Sequence, residues 1–343
     1  MLNIIKNKIK ENIYSKRSGL IKIVNKNHLF NNQLKYYIHS FGKKNPQKKF
    51  YVIQRYIGGG MFSNLNYVIH HIKIALELNC IPIIDMKNFP TKYNEKVKIK
   101  NTFNAWEYYF EPINKYKLED VYKSKFVVLA DGKTRNKLEF DTFKVLEKEN
   151  FNIFKRYIKI KKEIILESEN FIKNNFKNKK ILGVHFRGTD MKTQERHPFP
   201  ATYKQITSYI DYEIINHRFD KIFLVTEEED YLNKLKLRYK EKICYFNSYR
   251  SNIPDIFNNI KRRNHRYLIG KENLIDMLLL SNTKTIICTN SHMTDASSFL
   301  KNSKIKIIKI NNGYNSNNLL FAQFSWYIKN LLPEFFGGFK LKR

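Results

Sequence analysis

The residues best suited to chemistry follow an apolar run in the middle of the chain. Ile181–Val184 has the composition of a buried strand, and His185–Asp190, with the sequence HFRGTD, comes directly after it. In open α/β sheets, ligands bind beyond the carboxyl ends of the strands, so these side chains are placed where a ligand would lie. Arg187 offers a planar fork of donors that suits a phosphate group. The segment predicts an edge that binds a phosphorylated ligand, and the alternative is an ion pair with Asp190 that only fixes the loop.

Glu195 is a candidate general base in the loop after this strand. It lies ten residues beyond His185. A carboxylate at this place could take a proton from a hydroxyl group. Taken alone, an exposed loop glutamate without a catalytic role is the simpler interpretation.

A second polar segment follows the apolar run Ile222–Val225. Thr226 and Glu227 open it, and the acidic run continues to Asp230. Such residues at a strand end could accept hydrogen bonds from a ribose or a base, or they could cap the next helix, whose N-terminus favours acidic side chains. No Asp-x-Asp pair or His/Asp set supports a metal site here, so no metal is expected.

A third strand end and a helix add further candidates. Thr289, Asn290 and Ser291 follow the strand Thr285–Cys288 and open a helix, where backbone N–H groups and hydroxyls could bind phosphate or simply cap the helix. Asp276 lies in mid-helix among leucine and methionine. A lone carboxylate is costly to bury there unless it is paired or binds a ligand.

The elements that position these residues are strands alternating with helices, which is typical of parallel sheets with helices on both faces. A chain of 343 residues favours two domains. The predicted fold class is α/β, with two Rossmann-like domains facing each other across a cleft. The predicted segments are a basic extension (1–47), an acceptor-side domain (48–178), a donor domain (179–318), and a C-terminal helix and tail (319–343).

The composition excludes some classes and leaves others open. Hydrophobic residues make up 42% of the chain and aromatic residues 15%, enough for packed cores. The net charge of +32 comes from 63 Lys+Arg against 31 Asp+Glu. It reflects either coding bias of an AT-rich genome or attraction to a polyanion such as an anionic membrane. The basic residues are dispersed and match no nucleic-acid motif, so no nucleic-acid partner is expected.

Cysteine spacing and the pattern of apolar residues near the start indicate the cellular compartment of the protein. Its three cysteines have no CxxC spacing, which favours free thiols in a reducing environment. Lysines interrupt every apolar stretch near the start, so neither a signal peptide nor a membrane span is expected. We therefore expect a cytoplasmic protein, with peripheral contact at the cytoplasmic face of the inner membrane as an open alternative.

Taken together, four ordered motifs resemble the fucosyltransferase superfamily, in particular the α-1,6-fucosyltransferases, the nodulation fucosyltransferases and the protein O-fucosyltransferases. His185–Asp190 is similar to its His-x-Arg-x-Thr-Asp strand end, and Glu195 matches the proposed base of α-1,6 enzymes. The Leu-x-Thr-acidic-acidic strand end is matched at 224–228. The Asp-x-x-x-Leu-Ser helix and Cys-Thr-x-Ser strand end are matched at 276–281 and 288–291.

Two departures from the superfamily pattern are visible. Gly188 stands where many members carry a second arginine, and Glu227–Glu228 replaces a common Asp-Asp pair. Both positions belong to the expected donor site, so GDP-fucose is the default donor and another GDP-sugar is an alternative.

The resemblance implies a GT-B fold and an inverting, metal-independent glycosyltransferase that needs no cofactor besides its nucleotide-sugar donor. Arg187 would stabilise the leaving diphosphate, and Glu195 would activate the acceptor. A bacterial enzyme of capsule or lipopolysaccharide synthesis is expected, with a glycan or lipid-linked glycan as acceptor. The competing hypothesis is a non-catalytic GT-B-like protein that binds glycans or nucleotides. The residues implied in donor binding are His185, Arg187, Asp190, Thr226, Glu227, Asp276, Thr289, Asn290 and Ser291.

Overall fold

The computed structural model describes residues 25–31, 34–55, 59–130, 148–253, 256–257, 262–301 and 304–342. The chain divides into two compact units, Met1–Lys161 and Lys162–Arg343. This division precedes the boundary that we expected near residue 178. The helix after Lys161 belongs to the second unit because its Glu167 forms an ion pair with Lys271 and its Phe171 packs on Phe223, with ring centroids 5.7 Å apart.

The sheet of the first unit has five strands in the order β1-β2-β5-β3-β4. β3, β4 and β5 are parallel to one another, as predicted for a Rossmann-like sheet, whereas β1 and β2 add an antiparallel edge. Part of the expected basic extension, Asn25–Asn31 and Leu34–Ser40, therefore belongs to this sheet, where Ile38 pairs with Val128. The strands are β1 (Asn25–Asn31), β2 (Leu34–Ser40), β3 (Lys44–Gln54), β4 (Ile81–Asp85) and β5 (Ser124–Leu129).

Three α-helices are described in the first unit, α1 (Met61–Glu77), α2 (Leu118–Val121) and α3 (Lys148–Tyr157). α1 begins after Gly60, as the glycine-rich segment predicts, although residues 56–58 and 131–147 lie outside the described residues. The sequence of residues 104–112 is rich in aromatic residues, which are more often packing than sugar-binding, and the structure agrees because these aromatic side chains are buried. Trp106 stacks on Phe110 with ring centroids 4.1 Å apart.

The sheet of the second unit has five parallel strands in the order β10-β9-β6-β7-β8. In chain order this is the arrangement 5-4-1-2-3, the Rossmann pattern that the alternation of strands and helices predicts. β6 and β9 lie in the middle and are buried along their length, so their polar ends emerge from the core of the unit. The strands are β6 (Ile181–His185), β7 (Lys221–Val225), β8 (Ile243–Cys244), β9 (Thr285–Cys288) and β10 (Lys306–Lys309).

Six α-helices are found among the described residues of the second unit. A core of buried aliphatic and aromatic side chains fills the space between strands and helices, including Leu182, Val184, Ile206, Leu224 and Leu235. The helices are α4 (Lys162–Asn175), α5 (Tyr203–His217), α6 (Glu229–Tyr239), α7 (His265–Leu280), α8 (His292–Leu300) and α9 (Leu319–Leu331).

Two boundaries in the second unit differ from the sequence predictions. β8 ends at Cys244, whereas we expected a strand to Phe246, because Phe246 instead packs on Phe171, with ring centroids 5.9 Å apart. The apolar pattern of 297–300 predicts a short helix from Ser297, whereas α8 begins five residues earlier, at His292, since Ser291 caps it.

The three cysteines are free, and burial raises the pKa of each thiol to about 11. None of the described helices has both the length and the apolar character needed to cross a bilayer. Within the described part of the chain, no group of three or more His, Cys, Asp or Glu side chains could hold a metal ion.

Candidate functional site

The candidate site lies where the chain order of the second sheet reverses. β6 is paired on one side with β7 and on the other with β9, and the last residues of β6 and β9, His185 and Cys288, are register partners. The connections that leave these two strands diverge to opposite sides, which opens a crevice beyond their carboxyl ends. The segments that begin at Phe186 and Thr289 therefore start side by side at this edge.

His185 is buried at the end of β6 and exposes only 5% of its surface. Burial, with a smaller contribution from the charge of Arg187, lowers its pKa to about 3, so the imidazole is neutral near pH 7. Its Nδ1 atom has no hydrogen-bond partner among the described residues. A buried polar atom without a partner is costly, which makes this position a candidate contact for a ligand.

Arg187 is held by two carboxylates. Its Nε lies 3.5 Å from Oε1 of Glu227, and its Nη2 lies 3.6 Å from Oδ1 of Asp190. Its side chain remains 31% exposed, so the guanidinium faces solvent on one side. The ion pair with Asp190 that we weighed as a structural alternative is therefore present, and both contacts are longer than a strong hydrogen bond.

Glu227 joins the ends of β6 and β7. Its Oε1 accepts a hydrogen bond from the backbone N–H of Gly188 at 2.9 Å, in addition to its contact with Arg187. Thr226 is buried just before it and accepts a hydrogen bond from the Glu228 N–H at 3.2 Å, which shapes the turn into α6. The predicted Thr226–Glu227 pair thus fixes the loop that carries Arg187.

Glu228, the second acid of the motif matched at 224–228, is a buried part of the same loop. Its Oε1 accepts from the Thr189 N–H and lies 2.6 Å from the Lys192 ammonium. Both partners of this ion pair are largely buried, with 14% of the Lys192 side chain and 8% of the Glu228 side chain exposed. The Lys192 ammonium also faces the rings of Tyr231 and Trp326.

Glu195 lies in the loop after the 3₁₀ helix Thr189–Lys192. Its side chain is half-buried and makes no hydrogen bond or ion pair with any described residue. Backbone hydrogen bonds fix the loop on both sides: the Arg196 N–H donates to the Ser316 carbonyl, and the Asn315 N–H donates to the His197 carbonyl. The carboxylate is therefore held on an anchored loop and is open to an acceptor.

Asn315 is the anchor of that loop and was missed by the sequence analysis. It is 4% exposed, and its side-chain amide lies 3.4 Å from the Lys192 carbonyl, 3.3 Å from the Gln194 carbonyl and 3.0 Å from the Ala322 carbonyl. One side chain thus joins the loop that carries Glu195 to α9.

Asp276 is buried on α7, and burial raises its pKa from 3.8 to about 7. Oδ2 accepts a hydrogen bond from the Ser248 hydroxyl at 3.0 Å, whereas Oδ1 has no partner among the described residues. Glu272, one helical turn earlier, pairs with Arg262 and accepts from the Tyr249 N–H at 3.0 Å. The loop after β8 therefore packs against Asp276 and Glu272, and Oδ1 of Asp276 is left without a hydrogen-bond partner among the described residues.

The residues after β9 form the N-terminus of α8. Thr289 is buried, Asn290 and Ser291 are half-buried, and the Ser291 hydroxyl accepts from the Met293 N–H at 3.3 Å. The capping role that we weighed for Ser291 is therefore confirmed. The Ser297 hydroxyl donates to the Met277 carbonyl at 3.1 Å, which ties α8 to the helix that carries Asp276.

The structure thus brings most of the predicted residues to one sheet edge. His185, Arg187, Asp190, Thr226 and Glu227 are joined by strand pairing, hydrogen bonds and ion pairs, and Thr289–Ser291 begins beside them. Among the described residues, Asp276 and Glu195 make no hydrogen bond or ion pair with this group; Asp276 contacts Ser248, and the loop of Glu195 is held by Asn315. The site residues that the sequence analysis missed are Lys192, Ser248, Glu272 and Asn315.

No protein-family model and no curated protein matches the chain. Among solved structures, it is similar to the fucosyltransferase NodZ from Bradyrhizobium, at 16% identity and a TM-score of 0.49, over 78% of this chain and 97% of that one. It is similar to NodZ α-1,6-fucosyltransferase soaked with GDP-fucose, at 18% identity and a TM-score of 0.47, over 74% and 93% of the two chains. POFUT1 in complex with GDP is similar at 9% identity and a TM-score of 0.45, over 77% and 98%.

These structures are fucosyltransferases, the class whose motifs the sequence resembles. All three TM-scores lie below 0.5, so the function proposed for this chain rests on the geometry of its own residues.

Proposed function

We propose that this chain is an inverting glycosyltransferase that transfers fucose from GDP-fucose to a glycan acceptor. One observation carries the proposal. The reversal point of the second sheet presents a half-exposed arginine, Arg187, beside a buried, unpaired imidazole nitrogen of His185. An anionic ligand with polar ring atoms would satisfy both groups.

We assign binding of the donor's guanine to two buried polar atoms, Oδ1 of Asp276 and Nδ1 of His185. Guanine carries N–H donors on its pairing edge, and the unpaired Oδ1 of Asp276 is an acceptor that such donors would satisfy. His185 is neutral near pH 7, so its Nδ1 can donate or accept according to its tautomer. Binding would relieve the cost of burying both atoms without partners.

The diphosphate is assigned to Arg187 and the start of α8. A guanidinium can donate two parallel hydrogen bonds to phosphate oxygens, and the free N–H groups at a helix N-terminus favour an anion. Glu227 and Asp190 contact the guanidinium at 3.5 and 3.6 Å, which is longer than a strong hydrogen bond. A diphosphate would compete with these contacts because its charge is concentrated and its oxygens fit the fork.

The transfer itself is a single displacement. The Glu195 carboxylate removes the proton of an acceptor hydroxyl, and that oxygen attacks the anomeric carbon. The bond from this carbon to the β-phosphate oxygen breaks, and GDP leaves with its new negative charge stabilised by Arg187. Attack from the face opposite the leaving group inverts the anomeric configuration. The reaction as proposed uses no metal and no cofactor besides the donor.

The proposal also covers the biosynthetic role of the enzyme and its acceptor. We assign the enzyme to the assembly of a bacterial capsule or lipopolysaccharide in the cytoplasm, with a glycan or lipid-linked glycan as acceptor. The GT-B arrangement predicted from the sequence, with the donor in the second domain, is part of the same proposal.

A panel of GDP-fucose, GDP-mannose and UDP-sugars tests the donor, with hydrolysis and the shift in thermal unfolding temperature as measurements. We expect a response to GDP-fucose and a weaker one to UDP-sugars. Arg187→Ala should reduce hydrolysis about 10²–10³-fold, since it removes a preorganised cation at the leaving group. Glu195→Gln should reduce transfer about 10²-fold or more and leave donor binding intact.

Arg238→Ala and Glu241→Gln are the matched controls. Arg238 lies at the end of α6 remote from Glu228, where it pairs with Asp211, and Glu241 follows that helix. Both variants should retain wild-type rates. Nucleotide binding without hydrolysis by the wild-type protein would support the non-catalytic alternative, and wild-type transfer by Glu195→Gln would remove this residue's role as the base.

A further inference from the structure

The C-terminal helix α9 packs on the second unit through one side only. Ala322 is fully buried, Trp326 is nearly so, and the Trp326 indole N–H donates to the Pro200 carbonyl at 2.9 Å. At 3.6 residues per turn, the apolar residues on the opposite side lie within an arc of about 120°. They are Leu320, Phe321, Phe324, Tyr327, Ile328 and Leu331, which are 48–83% exposed.

The exposed apolar surface continues past the end of the helix. Phe335 and Phe336 are 80% and 64% exposed in the 3₁₀ helix that follows. We call these two residues and the six on α9 the C-terminal apolar face. A contiguous apolar surface of this kind on a folded protein marks an interaction site.

The positive net charge of the protein favours an anionic surface over a second copy of the chain as the partner of the C-terminal apolar face. The net charge is +32, and Lys329, Lys340 and Lys342 are close in the chain to the C-terminal apolar face. The Lys329 ammonium donates to the Gly337 carbonyl at 3.0 Å, so it lies beside the Phe335–Phe336 turn. A second copy of the chain would bring another +32 charges and be repelled, whereas an anionic surface would be attracted.

The length of α9 determines whether it can span a bilayer or only lie on its surface. α9 has 13 residues, which gives a length of about 20 Å against a bilayer core of about 30 Å. It is too short to span a bilayer but can lie flat in the interface with leucine and phenylalanine side chains in the acyl boundary. We propose that the C-terminal apolar face binds the surface of an anionic lipid bilayer.

The buried side of α9 connects this surface to the candidate site. The Trp326 ring faces the Lys192 ammonium at 5.2 Å, and Lys192 is the partner of Glu228 in the loop that carries Arg187. A membrane-bound α9 would therefore hold the site loop near the bilayer. Lipid binding itself does not depend on the transfer reaction and can be measured without donor.

Vesicle flotation of the full chain tests the proposal. Phosphatidylcholine vesicles are compared with vesicles that also contain phosphatidylglycerol, at low and high salt. The test variant combines Phe321→Gln, Phe324→Gln and Ile328→Gln. The control combines Ile215→Gln and Leu237→Gln, which replace residues 76% and 79% exposed on α5 and α6. We expect wild type and control to float with the anionic vesicles, less so at high salt, and the test variant to lose about tenfold or more of its binding.

An Ile328→Trp variant supplies a second measurement, because its indole should be quenched by brominated acyl chains if the face enters the bilayer. The proposal is overturned if wild type does not float, or if the triple variant floats as well as wild type. It is also overturned if wild type is a dimer that the triple variant turns into monomers, since the face would then bind a second copy. None of these results bears on donor hydrolysis, so the proposed function is tested separately.

Discussion

The Glu228 carboxylate occupies the space in which a side chain on residue 188 would begin. A Cβ atom on Gly188 would approach the Glu228 carboxylate more closely than real Cβ atoms approach other atoms. The two departures from the superfamily pattern, a glycine for arginine and a glutamate for aspartate, are therefore one coupled feature. The longer acidic side chain fills the volume that the glycine leaves, and its charge is neutralised by Lys192.

The first prediction follows from this close approach. Gly188→Ala should lower the free energy of unfolding by about 1–3 kcal/mol, because the new methyl group forces Glu228 away from Lys192. Shortening the acid in Gly188→Ala/Glu228→Asp should restore part of that loss, with a coupling of about 1 kcal/mol in a double-mutant cycle. Denaturant unfolding measures all four proteins.

Gly60→Ala is the control for backbone effects, since a Cβ on Gly60 would meet no atom within 4 Å and its φ is −61°. Gly60→Ala should lower the free energy of unfolding by less than about 1 kcal/mol. If the losses from Gly188→Ala and Glu228→Asp simply added, the two residues would not be coupled.

The second prediction concerns the buried ion pair. Lys192→Met should destabilise the protein by about 3–5 kcal/mol, because it leaves the Glu228 carboxylate buried without its cation. Lys87→Met is the matched control: Lys87 pairs with Glu119 at 3.2 Å, but the side chains are 33% and 55% exposed. The control should change stability by about 1 kcal/mol or less. Equal losses in the two variants, measured by denaturant unfolding, would contradict the buried role of Lys192.

The third prediction is a pH dependence set by Asp276. Its pKa is raised from 3.8 to about 7, so the folded protein keeps a proton that the unfolded chain releases above about pH 4. Wild type therefore loses stability as pH rises from about 4 to 7, by at most about 4 kcal/mol, and the loss is constant above pH 7. Asp276→Asn removes this loss. The stability of the variant relative to wild type should rise between pH 4 and 7 and then level off.

Binding of GDP should also change the protonation of Asp276. If guanine N–H groups donate to the Asp276 carboxylate, GDP lowers its pKa and releases a proton near pH 7. Calorimetric titration in two buffers of different ionisation enthalpy measures this release. Parallel stability curves for wild type and Asp276→Asn would refute the raised pKa, and GDP binding without proton release would refute the contact with guanine.

Local signals in the sequence predicted the second unit well. The strand Thr285–Cys288 has the same bounds in the prediction and in the structure, because an apolar run followed by a polar turn is a local pattern. The β1–β2 hairpin was missed because its residues are rich in lysine and asparagine and its place in the sheet depends on pairing with the distant β5. β8 was predicted too long because Phe246 is apolar but packs on a helix.

Most of the site residues that the sequence predicted follow the end of a strand. His185, Arg187 and Glu227 were found in this way, but Lys192 is one of 63 basic residues, and only its contact with Glu228 distinguishes it. Glu272 had a usable signal, since it lies four residues before Asp276 and therefore on the same side of α7. Asn315 had none, because it stands in a polar loop far from Glu195 in the chain.

The last prediction treats Asn315 as a positioning residue for Glu195. Asn315→Ala should leave the Lys192 and Gln194 carbonyls without a side-chain donor, which loosens the loop that carries Glu195. A shift of the base by a fraction of an ångström should lower kcat about tenfold, whereas the GDP-induced shift in unfolding temperature should stay near that of wild type. Asn282→Ala is the control, because Asn282 is exposed and its amide donates to the Leu278 carbonyl at 2.8 Å. Initial rates and thermal shifts measured on both variants separate the two effects. A matching loss of GDP binding in Asn315→Ala would mean that the residue supports the whole site rather than the position of the base.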